Sequence, residues 1–324
     1  MSKYARYAVV ALAALILWPA VAAAQAYPNR PIRVIVTFPP GGSTDTLARA
    51  MQPHLEKALG QPIIVENRPG AGGDIGVDVV AKAAPDGYTI GIGAAGALAV
   101  NISLKDKMPY HPQKDLAPIT LLTAIPFVMV AGSAFPGETL ADVVKIAKAG
   151  QHKLSIGHGG NGTAMHLSSE LFNHLTDAKI PLVPYKGSGP ATQDVLAGHI
   201  PLAIVDIPSS QGVIKDGRIK ALGVSSRTRD SHLPDVPTFI EGGVKDYESI
   251  GWFGLIAPAG TPSDIIKKLN EVFVAAMNDP VVKERIYQSG AEARPTTPEE
   301  FAAFIKSETE KWGAIIKAAG VKAN

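Results

Sequence analysis

The sequence predicts an α/β protein with two lobes and a ligand cleft between them. Segments typical of strands alternate with segments typical of helices, and short turns containing glycine or proline separate them. This alternation favours mainly parallel sheets flanked by helices. Two long apolar runs, 119–131 and 249–257, bracket the middle of the chain. We therefore expect the chain to cross between the lobes twice and the groove between them to take the ligand.

Residues 1–26 have the three-part pattern of a secretory signal peptide. Two basic residues, Lys3 and Arg6, precede an apolar run over 8–17, and small residues follow at 22–26. The apolar run is too short for a permanent membrane anchor, and the absence of a twin-arginine pair predicts export as an unfolded chain. We expect a signal peptide at 1–26, domain 1 at 27–125 and 252–324, and domain 2 at 126–251.

The composition excludes several classes of protein. The formal net charge is +2, and Lys3 and Arg6 would leave with the signal peptide, so the mature chain is close to neutral and unlike a nucleic-acid-binding protein. The chain contains no cysteine, which excludes disulfides, thiolate catalysis and lipidation of an N-terminal cysteine. With 46% apolar residues, it is long enough for one large or two medium domains.

In the first domain, start and stop signals identify each element. Strand 32–37 leads through prolines and glycines into helix 43–59, which Gly60 ends. The loop at 93–97 contains only glycine and alanine and leaves room above it, and 101–118 shows no clear period and is interpreted as a loop. The other elements predicted here are strand 62–66, helix 75–83 and strand 88–92.

A second α/β unit follows, and the C-terminal part of the chain is helical. Helix 139–149 begins at Thr139 and carries its apolar residues on one face. Proline, serine or threonine opens each of the last helices, and glycine or asparagine follows them. The elements predicted are strands 153–157, 180–184, 201–205 and 219–224, helices 163–176, 189–197 and 209–216, and helices 263–278, 280–288 and 298–318.

Motifs that suggest cofactor or catalytic chemistry stand in contexts that do not support it. Residues 157–162 fit the G-x-G-x-x-G pattern of dinucleotide sites, yet the next strand, 180–184, ends without the acidic residue that binds a ribose. The G-x-S-x-G elbow of esterases does not occur. His166 and His174 share a predicted helix but have no third ligand at metal spacing. We therefore expect no cofactor, no metal and no catalytic residue.

Three glycine-rich helix starts are better candidates for a binding site. They lie at 41–43, 161–163 and 186–189, and each offers backbone N–H groups and a hydroxyl. The first N–H groups of a helix have no intrahelical partner, and glycine lets an anion approach them closely. Asp45 and Asp206 add polar groups at the same edge. Facing one another across a cleft, the three starts would enclose a small anion; the alternative is that the glycines serve only helix–sheet packing.

Seven stretches, in order along the chain, match the pattern of a known family. They are YPNRPI at 27–32, PGGSTD at 40–45, VENRPGAGG at 65–73, PDGYT at 85–89, GGNGTAMHL at 159–167, PYKGSGPA at 184–191 and LPDVPT at 233–238. In these stretches the chain resembles the Bug (TctC-like) substrate-binding proteins of tripartite tricarboxylate transporters. The resemblance implies a type II periplasmic-binding-protein fold, a location in the periplasm, and a small carboxylate ligand that is handed to the membrane permease subunits of the transporter. We expect a monomer that does not bind nucleic acid.

The resemblance also implies which residues hold the ligand. In the family, the turn after the first strand and the glycine-rich loops of the second domain bind the carboxylate, with ordered waters between. Two positions depart from the family's pattern. The loop containing Ala95 lacks the usual serine or threonine, so backbone groups or an apolar ligand body would set specificity there, and His158 replaces a small polar residue and would narrow or tune the site. The matching positions are Phe38, Gly41, Ser43, Asp45, Asn161, Thr163, Lys186, Gly187 and Asp206.

These residues predict a receptor rather than an enzyme. Three helix starts and Lys186 supply positive charge, while Asp45 and Asp206 are negative, so one carboxylate is matched and three are not. We expect a monocarboxylate or dicarboxylate, with an aromatic or hydroxylated body on Phe38 and the 94–95 loop, rather than citrate. Asp206 is interpreted either as a cleft residue or as the N-cap of the helix that follows it. A ligand sensor for a membrane signalling protein and an exported enzyme acting on a small acid are the alternatives.

Overall fold

The computed structural model describes residues 27–150, 153–288 and 290–319. The predicted signal peptide at 1–26 lies outside the described residues. Within them, the chain forms two β-sheets with helices packed against them. None of the helices described is both long enough and apolar enough to cross a membrane.

The strands make two sheets that share one long strand. In chain order the strands are β1 (Ile32–Val36), β2 (Ile63–Asn67), β3 (Thr89–Ala94), β4 (Leu116–Ala131), β5 (Ile156–His158), β6 (Leu182–Pro184), β7 (Leu202–Asp206), β8 (Lys220–Val224), β9 (Ile250–Pro258) and β10 (Glu292–Ala293). The first sheet has the order β2-β1-β3-β9-β4, with β10 also paired to β4. The second has the order β6-β5-β7-β4-β8. In each sheet, three parallel strands are followed by a strand of opposite direction.

Strand β4 joins the sheets because its two parts pair with different strands. Residues 116–126 pair with β9, and residues 127–131 pair with β7 and β8. The chain returns at Ser249, whose N–H donates to the carbonyl of Ser225 at 3.1 Å, directly before β9 begins. Two interleaved α/β sheets joined at two adjacent crossings form the type II periplasmic-binding-protein arrangement that the sequence predicts.

The helices begin and end where local signals place them. Gly60 ends the first helix in the left-handed conformation (φ 66°), and Thr139 and Asp142 form a capping box. In chain order the helices are α1 (Ser43–Leu59), α2 (Asp74–Ala81), α3 (Asn101–Leu104), α4 (Leu140–Ala149), α5 (Ala164–Thr176), α6 (Ser188–Leu196), α7 (Ile207–Lys215), α8 (Ser263–Asn278), α9 (Pro280–Gln288) and α10 (Pro298–Ala319). The first sheet with α1–α3 and α8–α10 is called the first lobe, and the second sheet with α4–α7 the second lobe.

Most predicted elements are confirmed to within a few residues at their ends, but the loop predicted at 101–118 is wrong at both of its ends and holds only over 105–115. That segment contains α3 and the start of β4. The amide of Asn101 donates to the buried Asp74 at 2.8 Å, and Leu104 packs in a small core around Trp312. Such distant contacts stabilise a short helix that its own sequence favours only weakly. The two-residue strand β10 was not predicted.

Candidate ligand-binding site

A cavity of about 230 Å³ lies between the two lobes. The turn after β1, the start of α1 and parts of β3, β4 and β9 form its first-lobe side. The starts of α5, α6 and α7 form its second-lobe side. Each of these helix starts follows the end of a strand, so the cavity occupies the strand-end edge where α/β proteins bind ligands.

Asp206 is the centre of the polar contacts between the lobes. Its Oδ2 accepts from the hydroxyl of Ser43 in the first lobe at 2.8 Å and from the hydroxyl of Ser188 in the second lobe at 2.9 Å. Its Oδ1 accepts from the N–H of Ser209 at 3.0 Å, as the N-cap of α7. Asp206 therefore both lines the cavity and caps α7, so the two interpretations of its sequence position are compatible.

The start of α1 presents backbone N–H groups to the cavity. Its N-cap is Gly42, in extended backbone (φ −78°), and no side chain caps the helix. Among the described residues, the N–H groups of Ser43, Thr44 and Asp45 have no acceptor, whereas the N–H of Gly41 donates to Asp45 Oδ2 at 2.9 Å. Three unpaired donors at a helix start are suited to a carboxylate or another small anion.

The side chain of Asp45 turns away from the cavity and holds the turn that precedes α1. Its carboxylate accepts from Arg49 Nε at 3.0 Å, from Asn67 Nδ2 at 3.0 Å and from the N–H of Gly41. Burial acts to raise the pKa of Asp45, but the three hydrogen bonds and the charge of Arg49 together hold that pKa below its ordinary value. Asp45 is therefore ionised, and the hydrogen bonds of its carboxylate are all made within the first lobe.

Helix α6 also begins without a side-chain cap. Its N-cap, Gly187, has φ 119°, which glycine adopts without strain and other residues rarely do. The N–H groups of Ser188 and Gly189 find no acceptor in the described part of the chain. The preceding residue, Lys186, lines the cavity and is exposed, and none of the described residues forms an ion pair or hydrogen bond with its ammonium group. This end of the cavity therefore carries unpaired donors and one free positive charge.

Helix α5, in contrast, caps itself. Thr163 is its N-cap, and the Thr163 hydroxyl accepts from the N–H of His166 at 3.2 Å and donates to the carbonyl of Gly160 at 2.7 Å. The hydroxyl thus occupies the position over the helix end that an anion would take. Thr163 lines the cavity, but both hydrogen-bonding capacities of its side chain are in use.

Two stacked histidines hold the loop before α5 on the side away from the cavity. His158 Nδ1 accepts from the N–H of Gly160 at 3.2 Å, His166 Nδ1 accepts from the N–H of Gly162 at 3.4 Å, and the ring centroids are 4.8 Å apart. Burial, followed by the neighbouring His166, lowers the pKa of His158 to about 3, so this ring is neutral near pH 7. His158 and Asn161 line a separate polar groove on the outer side of the loop.

The remaining cavity wall is apolar. Phe38, two residues after β1, and Phe253, beside Ala94 in the β3–β9 pair, are only partly buried, while Phe127 and Trp252, which also line the cavity, are 3% and 1% exposed. Two phenyl rings therefore remain open to the cavity. The other apolar side chains that line it are Pro39, Pro40, Ala95, Ile125, Ala164, Met165 and Pro190.

Glycines allow the two lobes to approach each other closely beside the cavity. A methyl group on Gly96 would lie 2.2 Å from the carbonyl oxygen of Gly162, and one on Gly72 would lie 2.6 Å from that of Asn161. The prediction of a loop at 93–97 is wrong, because these residues form the end of β3 and the start of a helical turn over Gly96–Val100; the second lobe partly fills the space above them. With the Ser43–Asp206 hydrogen bond, these contacts describe lobes closed on one another.

The structure brings together most, but not all, of the residues that the sequence indicates. Those lining the cavity are Phe38, Gly41, Ser43, Ala95, Thr163, Lys186, Gly187 and Asp206. Asp45, His158 and Asn161 lie outside it, for the reasons given above. Sequence reasoning missed Thr44 and Ser188, which stand in recognised helix starts, and Phe253, which lies in the crossing run but whose side of the strand is not evident from the sequence.

Metal chemistry has no visible basis in the described residues. No group of three or more histidine, cysteine, aspartate or glutamate side chains among them could hold a metal ion. His166, besides stacking on His158, lies beside Glu170, with 3.5 Å between His166 Nε2 and Glu170 Oε1.

Comparison with known sequences gives a consistent result over nearly the whole chain. A family model described as the tripartite tricarboxylate transporter family receptor matches residues 47–321. Protein BugT of Bordetella pertussis is 38% identical over 300 residues, which cover 92% of this chain and 92% of that protein.

Solved structures agree with the fold described above. The periplasmic binding protein BugD superposes with a TM-score of 0.86 at 35% identity, over 92% of this chain and 100% of that one. An R. palustris protein solved with adipate gives 0.87 at 33% identity, over 91% and 99%. MatC from Rhodopseudomonas palustris, with bound malate, gives 0.85 at 34% identity, over 90% and 100%.

Proposed function

The chain belongs to the tripartite tricarboxylate transporter receptor family, and from that premise we propose that it binds a small organic carboxylate in the cavity between its lobes. The observation that carries the proposal is the pair of uncapped helix starts, at Gly42 and Gly187, which face one cavity from opposite lobes. The relatives solved with adipate and malate support a carboxylate as the class of ligand.

In the proposed complex, the ligand carboxylate accepts from the N–H groups of Ser43 and Thr44 in the first lobe. The N–H groups of Ser188 and Gly189 bind it from the second lobe, and the ammonium of Lys186 balances its charge. Phe38, Gly41, Ala95, Thr163 and Gly187 complete the wall of the site. Asp206 fixes the hydroxyls of Ser43 and Ser188 and repels any additional carboxylate near them.

We propose that binding is coupled to closure of the lobes about the crossings near 125–132 and 249–256. The Ser43–Asp206 hydrogen bond joins the lobes, and a ligand bridging α1 and α6 would add to that link. Small-angle scattering on ligand-free protein and on protein saturated with ligand tests this motion. A smaller radius of gyration with ligand is expected; an unchanged radius, starting from an open ligand-free form, contradicts it.

The proposed setting is the periplasm, where the protein, as a monomer, delivers its ligand to the permease subunits of a tripartite tricarboxylate-type transporter. A role as a receptor rather than an enzyme is favoured by the chemistry of the cavity. Asp206 accepts hydrogen bonds from three groups, and both His158 and His166 face away from the cavity. Within the described parts of the chain, neither of these histidines therefore pairs with Asp206 as an acid–base couple beside the proposed ligand.

Thermal melting in the presence of small acids, their amides and neutral sugars tests the ligand class. A ligand at 100 times its dissociation constant stabilises a protein by about 2.7 kcal/mol, which is easily seen in a melt. We expect one or more monocarboxylates or dicarboxylates to raise the melting temperature. If amides or sugars raise it and no carboxylate does, the proposed function is wrong; if citrate is best, the balance of charge assigned to the cavity is wrong.

A further inference from the structure

We propose that the ligand carries a single carboxylate on an apolar body, and that Phe38 and Phe253 select that body. This inference rests on the carboxylate-receptor function proposed above and narrows it. It follows from three features of the cavity: the kind of polar group left unpaired, the nature of the wall, and the charge.

The unpaired polar groups are nearly all donors, and they lie at the helix starts. Among the described residues they include the N–H groups of Ser43, Thr44, Ser188 and Gly189 and the ammonium of Lys186, and the N–H groups of Ala164 and Met165 at the start of α5 add to them. The hydroxyls of Ser43 and Ser188 donate to Asp206, whereas those of Thr44 and Ser209 also line the cavity at the starts of α1 and α7. The donors are therefore concentrated on the helix-start side of the cavity, where one carboxylate group is well served.

The opposite wall offers no polar partner to a second carboxylate. Phe38 and Phe253 leave part of each ring open to the cavity, and the same wall contains Ala94, at the end of β3, and Ala95, directly after it, whose methyl groups cannot hydrogen-bond. Phe38 also borders the glycine-rich outer compartment, and Phe253 borders a small inner pocket near Thr123, so the rings lie toward different ends of the cavity. A carboxylate placed between them would lose its hydration without compensation.

The charge in the cavity also fits one anion. Asp45 lies outside the cavity and is neutralised by Arg49, so Lys186 and Asp206 are the charged side chains that line it, and they are opposite in sign. The uncapped starts of α1 and α6 each add roughly half a positive charge, which together match one carboxylate. A dicarboxylate would leave one charge unmatched on the apolar wall.

Isothermal titration of the purified protein with a small panel tests the inference. Benzoate, cyclohexanecarboxylate and hexanoate share one carboxylate and differ in body shape; malate and adipate carry two carboxylates; benzamide is the uncharged control. We expect the best of the three monocarboxylates to bind at least about tenfold more tightly than malate or adipate, and benzamide not to bind. Tighter binding of malate or adipate overturns this inference but leaves the receptor function intact, whereas failure of all five acids together with binding of benzamide overturns both.

Substitutions in the apolar wall of the cavity test whether that wall decides which carboxylate binds most tightly. Phe253→Thr should weaken the best monocarboxylate by about tenfold, while Phe253→Leu, which keeps an apolar body, should weaken it less. Ala94→Ser places a hydroxyl donor on the wall and should improve malate relative to the monocarboxylate. Ala141→Ser, on the exposed face of α4, is the matched control and should change neither affinity.

Melting curves in the absence of ligand identify any variant that fails to fold, and Phe38→Leu then provides a second, independent position. Unchanged ratios of monocarboxylate to malate affinity in both folded Phe253→Thr and folded Ala94→Ser contradict the assignment of selectivity to this wall.

Discussion

The starts of α1 and α5 look alike in the sequence but differ in the structure. Each of these helices follows a strand, is preceded by glycines, and has a serine or threonine at or directly before its first residue. At α1 the N-cap is Gly42, without a side chain, and the N–H groups of the first turn are unpaired. At α5 the N-cap is Thr163, whose hydroxyl accepts from the third N–H of the helix. A glycine-rich start is therefore a place where an anion can bind, and the N-cap side chain decides whether the position is free.

The difference extends to the loops behind the two helices. Asp45 holds the turn before α1 through the N–H of Gly41, and His158 and His166 hold the loop before α5 through two other glycine N–H groups. Both loops are thus fixed from inside their own lobe. Only α1 and α6, however, leave their ends uncapped toward the cavity.

The largest effect is expected when α1 is given a cap of its own. In Gly42→Asp, the extended backbone (φ −78°) accepts a side chain, although the new Cβ would lie 3.3 Å from the Pro39 carbonyl oxygen. The new carboxylate would accept from the first-turn N–H groups and repel a bound anion, so we expect carboxylate affinity to fall by roughly 100-fold, about 2.7 kcal/mol, while the helix is stabilised. Titration calorimetry and melting curves measure the two effects.

Gly42→Ala is the matched control, because alanine adds a Cβ at the same place but no hydrogen-bond acceptor. Its affinity should stay within about threefold of the parent protein. Equal losses of carboxylate affinity in the two variants would mean that crowding by the new Cβ, and not the capping carboxylate, weakens binding. The absence of an N-cap side chain at α1 would then not explain anion binding.

The second prediction concerns Asp206, whose carboxylate accepts hydrogen bonds from Ser43 in the first lobe and from Ser188 in the second. Asp206→Asn keeps an oxygen for the Ser209 N–H but removes a negative charge and frees the hydroxyls of Ser43 and Ser188. We expect affinity for a dicarboxylate relative to a monocarboxylate to rise by about tenfold. Competition titrations give the ratio, and Asp216→Asn, an exposed aspartate at the end of α7, is the charge-matched control. A ratio that changes equally in both variants would show a general effect of net charge.

The third prediction concerns the pH dependence of stability, which should differ between the loop before α5, held by His158, and the turn before α1, held by Asp45. The pKa of His158 is lowered from 6.5 to about 3, so between these values the unfolded chain binds a proton that the folded protein does not. Stability from this residue is therefore present above pH 6.5 and is lost as the pH falls, at up to about 1.4 kcal/mol per pH unit. The pKa of Asp45 is lowered, so the contribution of Asp45 at α1 persists to a lower pH than an ordinary carboxylate would allow.

Urea unfolding at several pH values between 7 and 5 tests this prediction. His158→Asn keeps an acceptor for the Gly160 N–H without titrating, so the variant should lose less stability on acidification than the parent protein. Parallel pH profiles for the two proteins would mean that His158 is not the group responsible.

The smallest effect is expected at Thr163, the cap of α5. Thr163→Val keeps the shape of the side chain but removes the hydroxyl that accepts from His166 N–H, and should lower the free energy of unfolding by about 1 kcal/mol. Carboxylate affinity should change by less than about threefold, because that hydroxyl is already engaged. Thr163→Ser retains the cap and should restore stability. A large loss of affinity in the folded valine variant would place α5 among the anion-binding starts.

The sequence predicts the architecture well because strands, helices and caps are local features. The Ser43 start, the Gly60 stop and the crossing near residue 125 are all visible as periodicity and turn residues. The helix at Asn101–Leu104 is not visible, since contacts with the distant Asp74 and Trp312 stabilise it.

The site is predicted less completely, because a motif does not show which way its side chains point. Asp45 stands in the most recognisable motif, yet it binds Arg49 within its own lobe, and His158 stacks on His166 outside the cavity. Conversely, Phe253 lines the cavity because of its register beside Ala94, and the register between strands so distant in sequence follows only from the assembled sheet.

Amide NMR can show directly whether the uncapped starts of α1 and α6 hold a carboxylate. A titration of ¹⁵N-labelled protein with the best-binding acid reports hydrogen bonding at each N–H group. We expect large, saturable downfield shifts of the Ser43, Thr44 and Gly189 amide protons, and a small change at His166, whose N–H already donates to Thr163. Large shifts at His166 with unmoved Ser43 and Thr44 resonances would contradict it.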